Sequence, residues 1–524
     1  MKKLSILLCL IMTLSLLLAS CGKPANDPTS SSAPLADSSD SVSEEDSAVS
    51  TDDTTAGTSA AETTPSPSVT TTKTPDIGQP PTTTTTAAST TKKTDVVTTW
   101  PSVSQKEETA LEKLIKPYIS TNPKVTEVPA YNPTKSGWTH IKAITFDGAQ
   151  MNGKKTKVFA YIGFPKGASA SKKVPAVVLV HGGGGHAFAE WVRIWNERGY
   201  AAIAMDTTGY FPSAKGKGIA GDNGDAKDLW QYGMYGPFSE SGYVNAPNTD
   251  RMKNVPKQSN MEEHWMYHAV VSTILAHNIL MTDNRVNVAK IGINGISWGG
   301  VITSLAIGYD TRYAYAVPIY GCGYLDEMPT YFGDLFSPAA VKSQYSAADR
   351  FGKVKIPTLW LAWVFDTNFS IDKNTKSYLD VKNAGGIMSI KQTWSHSHKA
   401  GWQAEETFRF ADSICKGGTG LVSCVTEPKG RNVSFTVKKP ADVTELTAKA
   451  YYITEKLSYS VQSGSSNPVP DQKAKDWKTV NCTVSGTKVT CTLPADAVDY
   501  YVELTAKTAD GSYITTTGLV DARA

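Results

Sequence analysis

The chain of 524 residues contains few cysteines and histidines, seven and eight respectively. None of the cysteines shows the short paired spacing, with histidines nearby, that zinc sites use, so we expect neither a metal nor another cofactor. Basic and aromatic residues do not form a mixed cluster, and the formal net charge is +3. Nucleic acid is therefore not an expected partner. The apolar run from Leu4 to Leu18 is too short for a comfortable transmembrane span.

This apolar run has the form of an export signal, because it follows two lysines and ends in small residues. The junction Leu18-Ala19-Ser20-Cys21 resembles the lipobox of bacterial lipoproteins. That resemblance implies removal of residues 1–20 and diacylation of Cys21. The mature protein would then be anchored at the outer face of the bacterial membrane, at the cell surface. The alternative is an ordinary signal peptide with a cysteine at this place by chance.

Residues 21–100 almost lack large apolar side chains and consist mainly of Ser, Thr, Ala, Asp and Pro. Such a segment cannot bury enough apolar surface to offset the entropy of ordering it. We expect a disordered linker that holds the folded part of the protein away from the membrane.

The remaining residues divide into two regions of different pattern. Between residues 101 and 424, two antiparallel strands precede apolar strands that alternate with helices, which predicts a mostly parallel sheet covered on both faces. Between residues 425 and 524, short segments alternate apolar and polar residues without a helical pattern. We predict an α/β fold followed by a small immunoglobulin-like β-sandwich.

Two cysteine pairs are candidates for disulfides. Cys482 and Cys491 flank a predicted hairpin with a two-residue turn at Gly486-Thr487, which sets them opposite each other. Cys415 and Cys424 flank a glycine-rich run. Because exported proteins keep disulfides, we expect both pairs to be bridged and Cys322 to be a free thiol.

The segment Gly295-Ile296-Ser297-Trp298-Gly299 has the Gly-x-Ser-x-Gly spacing of a nucleophile elbow. An apolar strand precedes it and a helical pattern follows it. At so sharp a turn the serine is strained, and side chains two positions to either side would collide, so glycine is needed at both places. This context predicts Ser297 as a nucleophile rather than part of a plain glycine-rich turn.

A second glycine-rich stretch follows a predicted central strand at His181-Gly182-Gly183-Gly184-Gly185. Its backbone N–H groups can approach a developing oxyanion without obstruction by side chains. We expect Gly183 or Gly184 to supply one donor and the N–H of Trp298 the other. The alternative is a simple tight turn. His181 is interpreted as a structural residue, because it precedes the donor loop.

The acid and the base are expected after late strands. Asp366 follows a predicted strand at the carboxyl edge of the sheet, and we prefer it to Asp372, which is interpreted as a helix cap. Two histidines lie in the segment after the last strand. We prefer His398 to His396 as the base, because His398 lies further into the loop.

Five segments of the sequence resemble those of a known protein family. They are HGGGGHAFAEWVRIWNERGYAAIAMD, GISWGG, VPIYGCGYL, FDTNFSIDKNTKSY and SHSHKAGW. Together they resemble the α/β-hydrolase branch of acetyl xylan esterase-like and dienelactone hydrolase-like proteins, which borders the prolyl oligopeptidase-like hydrolases. The resemblance covers about residues 129–420. It implies a Ser297 nucleophile, an Asp366 acid and a His398 or His396 base. Ser397 and Lys399 stand where the family usually has glycines, so the choice of histidine stays open.

The sequence therefore predicts an exported serine carboxylesterase that removes acetyl or other short acyl groups from carbohydrate esters, with acetylated polysaccharide as the expected partner. Asp206 and the segment 230–243 are expected to frame its pocket. One alternative is a prolyl oligopeptidase-like serine peptidase, although residues 100–173 are too few for the propeller of those proteins. The other is a non-catalytic surface protein that binds glycans.

Overall fold

The computed structural model describes residues 108–134, 136–153, 156–209, 211–212, 230–231, 260–461, 468–470 and 476–524. These residues belong to one compact unit. The predicted signal peptide, Cys21, the linker and nearly all of the segment 230–243 lie outside them. In the described parts of the chain, every helix is too short or too polar to cross a bilayer.

A mixed sheet forms the centre of residues 108–424. Its strands and the small pair β6–β7 are β1 (Val125–Glu127), β2 (Ile141–Asp147), β3 (Lys157–Gly163), β4 (Val174–Val180), β5 (Ala201–Met205), β6 (Phe211–Pro212), β7 (Trp230–Gln231), β8 (Val286–Ile296), β9 (Tyr315–Ile319), β10 (Leu359–Trp363) and β11 (Ile387–Lys391). The order across the sheet is β1-β2-β3-β5-β4-β8-β9-β10-β11. From β5 onwards all neighbours are parallel, which brings the carboxyl ends of these strands to one edge.

Helices follow most of the parallel strands. They are α1 (Ala110–Ile115), α2 (Ala189–Glu197), α3 (Trp265–Thr282), α4 (Trp298–Tyr309), α5 (Tyr331–Phe336), α6 (Ala339–Tyr345), α7 (Ile371–Val381), α8 (His398–Trp402) and α9 (Glu405–Cys415). Strands β5 and β9 are buried along their whole length, as expected for strands covered on both faces. Helices α5 and α6 are not predicted from the sequence, because this stretch lacks a sustained helical period.

The described strands from residue 423 onwards pair antiparallel, as the alternating pattern predicts. They are β12 (Ser423–Cys424), β13 (Asn432–Lys438), β14 (Glu445–Ile453), β15 (Tyr459–Val461), β16 (Pro468–Pro470), β17 (Lys478–Ser485), β18 (Lys488–Thr492), β19 (Asp499–Thr508), β20 (Gly511–Thr516) and β21 (Val520–Asp521). Strand β17 pairs with β14 in its first half and with β18 in its second half.

The carboxyl-terminal strands continue the central sheet. Strand β20 pairs antiparallel with β11, where Met388 lies opposite Thr516. The Ile390 N–H donates to the Thr516 Oγ1 at 3.2 Å, and the Ser389 Oγ donates to the Ile514 carbonyl at 2.8 Å. Strand β20 therefore covers the edge of β11, which would otherwise present unpaired backbone groups.

Neither predicted disulfide is present in the structure. The thiols of Cys415 and Cys424 are free and point to different partners, the Lys290 carbonyl and the Thr426 carbonyl. Cys415 ends helix α9, whereas Cys424 lies in strand β12, which pairs with β13. The second pair is close but unbonded, with 2.9 Å between the Sγ atoms of Cys482 and Cys491. A disulfide bond is about 2.05 Å long.

We expect Cys482 and Cys491 to form a bridge in an oxidising compartment, because the observed two-residue turn sets them side by side. In the chain-entropy model, closing so short a loop contributes about 2–3 kcal/mol to the free energy of unfolding. Denaturant unfolding with and without reductant would measure this, and Cys415 and Cys424 should stay open to alkylation after unfolding. Free thiols at Cys482 and Cys491 in exported protein would contradict the expectation.

Buried histidines make folding sensitive to acid, and His186 and His268 are two of them. Burial lowers the pKa of His186 to about 3 and the pKa of His268 to about 4. Below pH about 6.5 the unfolded chain gains protons at these residues while the folded chain does not. Each histidine should therefore remove about 1.4 kcal/mol from the free energy of unfolding per pH unit, until the pH reaches its folded pKa.

This loss can be measured by denaturant unfolding between pH 7 and pH 4.5. The variant His268→Gln should show a smaller pH dependence of the free energy of unfolding than the unmodified protein. His140→Gln is the control for the substitution itself, because the His140 side chain is exposed. Equal slopes for the two variants would refute the assignment to His268.

Candidate active site

Ser297 lies at the sharp turn between β8 and α4. Its φ of 58° and ψ of −121° are unusual for a residue with a side chain, and its N–H donates to the Ile319 carbonyl at 2.8 Å. A Cβ on Gly295 would lie 2.1 Å from the Gly299 carbonyl oxygen, and a Cβ on Gly299 would lie 1.9 Å from the Val180 carbonyl oxygen. The elbow is therefore formed as predicted, and both of its glycines are needed for steric reasons.

A line of hydrogen bonds joins Ser297 to a histidine and an aspartate. The His396 Nε2 lies 2.9 Å from the Ser297 Oγ, and the His396 Nδ1 lies 2.7 Å from the Asp366 Oδ2. Asp366 is buried, and its Oδ1 accepts the N–H groups of Asn368 and Phe369 at 2.8 and 3.0 Å. Because the Nδ1–H of His396 donates to this carboxylate, Nε2 carries no proton and can accept one from the serine.

The structure therefore places His396 beside Ser297, and not His398, which the sequence favoured as the base. His398 begins helix α8, after Ser397, whose side chain caps that helix. The backbone changes from extended to helical at this point, so the two histidines face different partners. His396 faces Ser297, whereas the His398 Nε2 accepts the Gly182 N–H at 2.9 Å.

The structure brings Asp366 to this site and leaves Asp372 outside it. Asp372 lies in the first turn of α7, where its carboxylate is 3.2 Å from the Lys373 Nζ. Its predicted role as the cap is also corrected, because Ser370 occupies the N-cap position. An acidic side chain in the first turn still interacts favourably with the positive end of the helix dipole.

Two aromatic rings orient the His396 imidazole. The ring of Phe369 stacks nearly parallel to it at 6.0 Å between centroids, and the ring of Tyr320 lies 4.7 Å from it. The Tyr320 hydroxyl also donates to the Ser395 carbonyl at 2.7 Å. Tyr320 has a φ of 49°, a second strained residue at this edge of the sheet. It was not singled out from the sequence, although it directly follows β9, the strand next to the elbow strand.

The glycine loop after β4 lies directly beside the nucleophile. A Cβ on Gly182 would be 2.9 Å from the Ser297 Cβ. The N–H groups of Gly182 and Gly185 are already used, by the His398 Nε2 and the Gly182 carbonyl. Among the residues that the structure describes, the N–H groups of Gly183 and Gly184 have no hydrogen-bond partner. These are the two glycines predicted as donors, and Trp298 begins helix α4 on the other side of Ser297.

An aromatic cluster surrounds the residue after the nucleophile. The Trp298 ring lies 4.7 Å from the Phe332 ring, 6.2 Å from the Phe336 ring and 5.2 Å from the Trp265 ring, between centroids. Phe332 and Phe336 come from helix α5, which the sequence did not reveal. Asp206 does not frame an opening, because it is buried and its Oδ1 accepts the Thr208 N–H at 2.8 Å.

The elbow between strand and helix, with serine, aspartate and histidine in this order along the chain, is the arrangement of the α/β-hydrolase fold. No protein-family model and no curated protein matches the chain.

Comparison with solved structures gives weak similarities. The acylaminoacyl peptidase of Pyrococcus horikoshii is 16% identical over 50% of this chain and 38% of its own, with a TM-score of 0.35. The acetyl xylan esterase of Paenibacillus sp. R4 is 17% identical over 60% of this chain and 97% of its own, with a TM-score of 0.39. Acetyl xylan esterase 1 of Thermoanaerobacterium sp. JW/SL YS485 is 14% identical over 58% and 93%, with a TM-score of 0.39. The chain thus spans less than two thirds of the peptidase.

Proposed function

We propose that this protein is a serine hydrolase of carboxylic esters, with Ser297, His396 and Asp366 as its catalytic triad. The observation that carries this proposal is the continuous hydrogen-bonded line from the Ser297 Oγ through His396 to Asp366. A non-catalytic surface protein would have no reason to retain a strained serine, an oriented imidazole and a buried carboxylate in this geometry.

In the proposed reaction, the Ser297 Oγ attacks the ester carbonyl carbon while the His396 Nε2 takes the hydroxyl proton. The carbonyl oxygen gains negative charge and accepts hydrogen bonds from the N–H of Trp298 and of Gly183 or Gly184. Collapse of the tetrahedral intermediate breaks the bond to the alcohol, which leaves with the proton from His396. Water then attacks the acyl-enzyme with the same base, releasing the acid and restoring Ser297.

Short acyl groups, acetyl above all, are the proposed substrates. The aromatic rings of Trp265, Phe332 and Phe336 pack against Trp298, the residue after the nucleophile, and support this because bulky rings near the acyl site would favour a small acyl group. The proposed natural substrate is an acetylated polysaccharide or oligosaccharide outside the cell.

The test compares kcat/KM of the purified protein for p-nitrophenyl acetate, butyrate and octanoate, acetylated xylan oligomers and aminoacyl-anilides. We expect acetyl esters to be hydrolysed best, with little or no anilide cleavage, because an amine is a poorer leaving group than an alcohol. Rates that rise with acyl length would contradict the short-acyl proposal. Efficient anilide cleavage would favour a serine peptidase, and failure of a fluorophosphonate probe to label Ser297 would favour a binding protein.

The site of action is a further part of this proposal. An export signal followed by Cys21 supports a lipid anchor that holds the enzyme outside the membrane, with residues 21–100 as a tether. The strands from β13 to β19 are proposed to form the immunoglobulin-like sandwich. If Cys21→Ser remains in the membrane fraction as fully as the unmodified protein, the anchor proposal is wrong.

A further inference from the structure

We propose that His398 is a positioning residue that holds the oxyanion loop, residues 181–185, in its working geometry by accepting the Gly182 N–H. This inference rests on the proposed function, because it assigns the loop to stabilisation of the oxyanion. The proposal assigns a separate task to the second histidine of the Ser-His-Ser-His segment.

Gly182 is held by imidazoles on both of its peptide groups. Its N–H donates to the His398 Nε2 at 2.9 Å, and its carbonyl oxygen lies 2.7 Å from the His181 Nδ1. The His181 Nε2 accepts the Thr207 N–H at 2.9 Å, so its Nδ1 carries the proton and donates to Gly182. Both bonds fix the orientation of the peptides that lead into Gly183 and Gly184.

The fit between His398 and the loop is tight. A Cβ on Gly185 would lie 2.5 Å from the His398 Nε2, and a Cβ on Gly182 would lie 3.1 Å from it. The loop therefore closes around the imidazole edge, and two of its glycines are needed to make room for this ring. The same contact leaves the N–H groups of Gly183 and Gly184 as the donors available to substrate.

The His398 ring is neutral near pH 7 and therefore keeps a nitrogen that can accept a hydrogen bond. Desolvation, together with the neighbouring His181, His186 and His396, lowers the pKa of His398 to about 3. A neutral imidazole that accepts at Nε2 carries its proton on Nδ1. A protonated ring at this place would turn a donor toward the Gly182 N–H and break the contact.

Local structure fixes the position of His398. Ser397 caps helix α8 by accepting the Ala400 N–H at 3.1 Å, so His398 begins a defined helical turn. The Phe188 ring packs on the His398 ring with 4.9 Å between centroids. A Cβ on Gly401 would lie 2.8 Å from the Ile296 side chain, which shows that this turn packs directly on the nucleophile elbow.

One short segment thus supplies residues to two parts of the catalytic site. His396 is the base, and His398 contacts the oxyanion loop. Without the His398 acceptor, the buried Gly182 N–H has no hydrogen-bond partner. The loop can then rotate so that the N–H groups of Gly183 and Gly184 no longer point to the oxyanion. Hydrogen bonds to the oxyanion are stronger in the transition state than in the substrate complex, so kcat should fall while KM changes little.

The test compares His398→Met, which fills the space without a strong acceptor, with His398→Gln, which can place a carbonyl oxygen near the position of Nε2. We expect His398→Met to lower kcat for p-nitrophenyl acetate about 10²-fold, the typical loss of one oxyanion donor, with little change in KM. Inhibition by a boronic acid, whose tetrahedral adduct uses the same donors, should weaken by a similar factor. His398→Gln should restore most of both.

His277→Met is the matched control, because it makes the same substitution at a buried histidine that pairs with Asp310 and is not part of the site. It should lower the melting temperature while kcat stays within about threefold of the unmodified protein. Unchanged kcat in His398→Met would overturn the proposal. Equal losses in the Met and Gln variants would also overturn it, because the residue would then act through packing alone.

Hydrogen exchange at the Gly182 amide tests the contact without relying on turnover. The amide should be protected in the unmodified protein and in His398→Gln, and should exchange much faster in His398→Met. If the protein proved inactive on every ester while this pattern held, the proposed function would fail and the contact would stand. Equal protection in all three proteins would refute the contact itself.

Discussion

Ser297→Ala, His396→Ala and Asp366→Asn should each lower kcat for p-nitrophenyl acetate by about 10⁴-fold or more. Each change removes one member of a single hydrogen-bonded unit, whose contacts are 2.9 Å from the Ser297 Oγ to the His396 Nε2 and 2.7 Å from the His396 Nδ1 to the Asp366 Oδ2. Without the carboxylate, the imidazole can adopt the tautomer that cannot accept the serine proton. The losses should therefore not add in double variants.

Single-turnover and steady-state rates with the purified variants would measure these effects. Asp372→Asn is the matched control for the acid, because Asp372 lies in the same region of the chain but pairs with Lys373 outside the site. Its kcat should equal that of the unmodified protein. A damaging Asp372→Asn together with an active Asp366→Asn would show that the observed geometry is not the catalytic one. An active His396→Ala would have the same meaning for the base.

Removal of residues 425–524 should abolish both solubility and activity. Strand β11 would lose its neighbour β20, and with it the bonds from Ile390 to Thr516 and from Ser389 to Ile514. The exposed strand edge would be open to pairing with other chains. His396 lies shortly after β11, and the Gln392 side chain between them donates to the Tyr501 hydroxyl at 2.6 Å. The segment that carries the base would thus lose its support.

The buried charge contacts at this junction add to the expected loss. Glu406 forms an ion pair with Lys391 and accepts the Ile514 N–H at 3.0 Å, and Glu427 joins the Tyr378 hydroxyl to the Gly518 N–H at 2.7 and 2.9 Å. Truncation removes Ile514 and Glu427, so Glu406 and the Tyr378 hydroxyl each lose a hydrogen-bond partner, which costs more than the contact itself contributes.

Soluble yield and kcat of the truncated and full chains would be compared. Tyr501→Phe is the graded control, since it removes only the hydroxyl that binds Gln392 and should lower the free energy of unfolding by about 1 kcal/mol. A soluble, monomeric protein ending at residue 424 with the kcat of the full chain would show that the carboxyl-terminal strands are a separate appended module.

Features that depend only on neighbouring residues could be predicted from the sequence alone. The strand, the two glycines and the helix around Ser297 are local requirements of one sharp turn, so the elbow could be predicted without any tertiary contact. The glycine loop after β4, the alternation of strands with helices, and the alternating pattern after residue 425 are local signals of the same kind. Asp366 could be placed because it directly follows a buried strand at the carboxyl edge of the sheet.

Tertiary structure decided between residues that are equivalent in local terms. His396 and His398 are two positions apart in one polar segment. Tyr320 and Phe369 pack on the His396 ring, and Phe188 packs on the His398 ring. The two imidazoles therefore contact different partners. Cys415 and Cys424 are nine positions apart, yet pairing of β12 with β13 separates them. Docking of β20 on β11 joins segments more than a hundred residues apart. Such contacts depend on which apolar and polar surfaces of the helices and strands remain exposed after these elements have formed. A local sequence pattern does not contain this information.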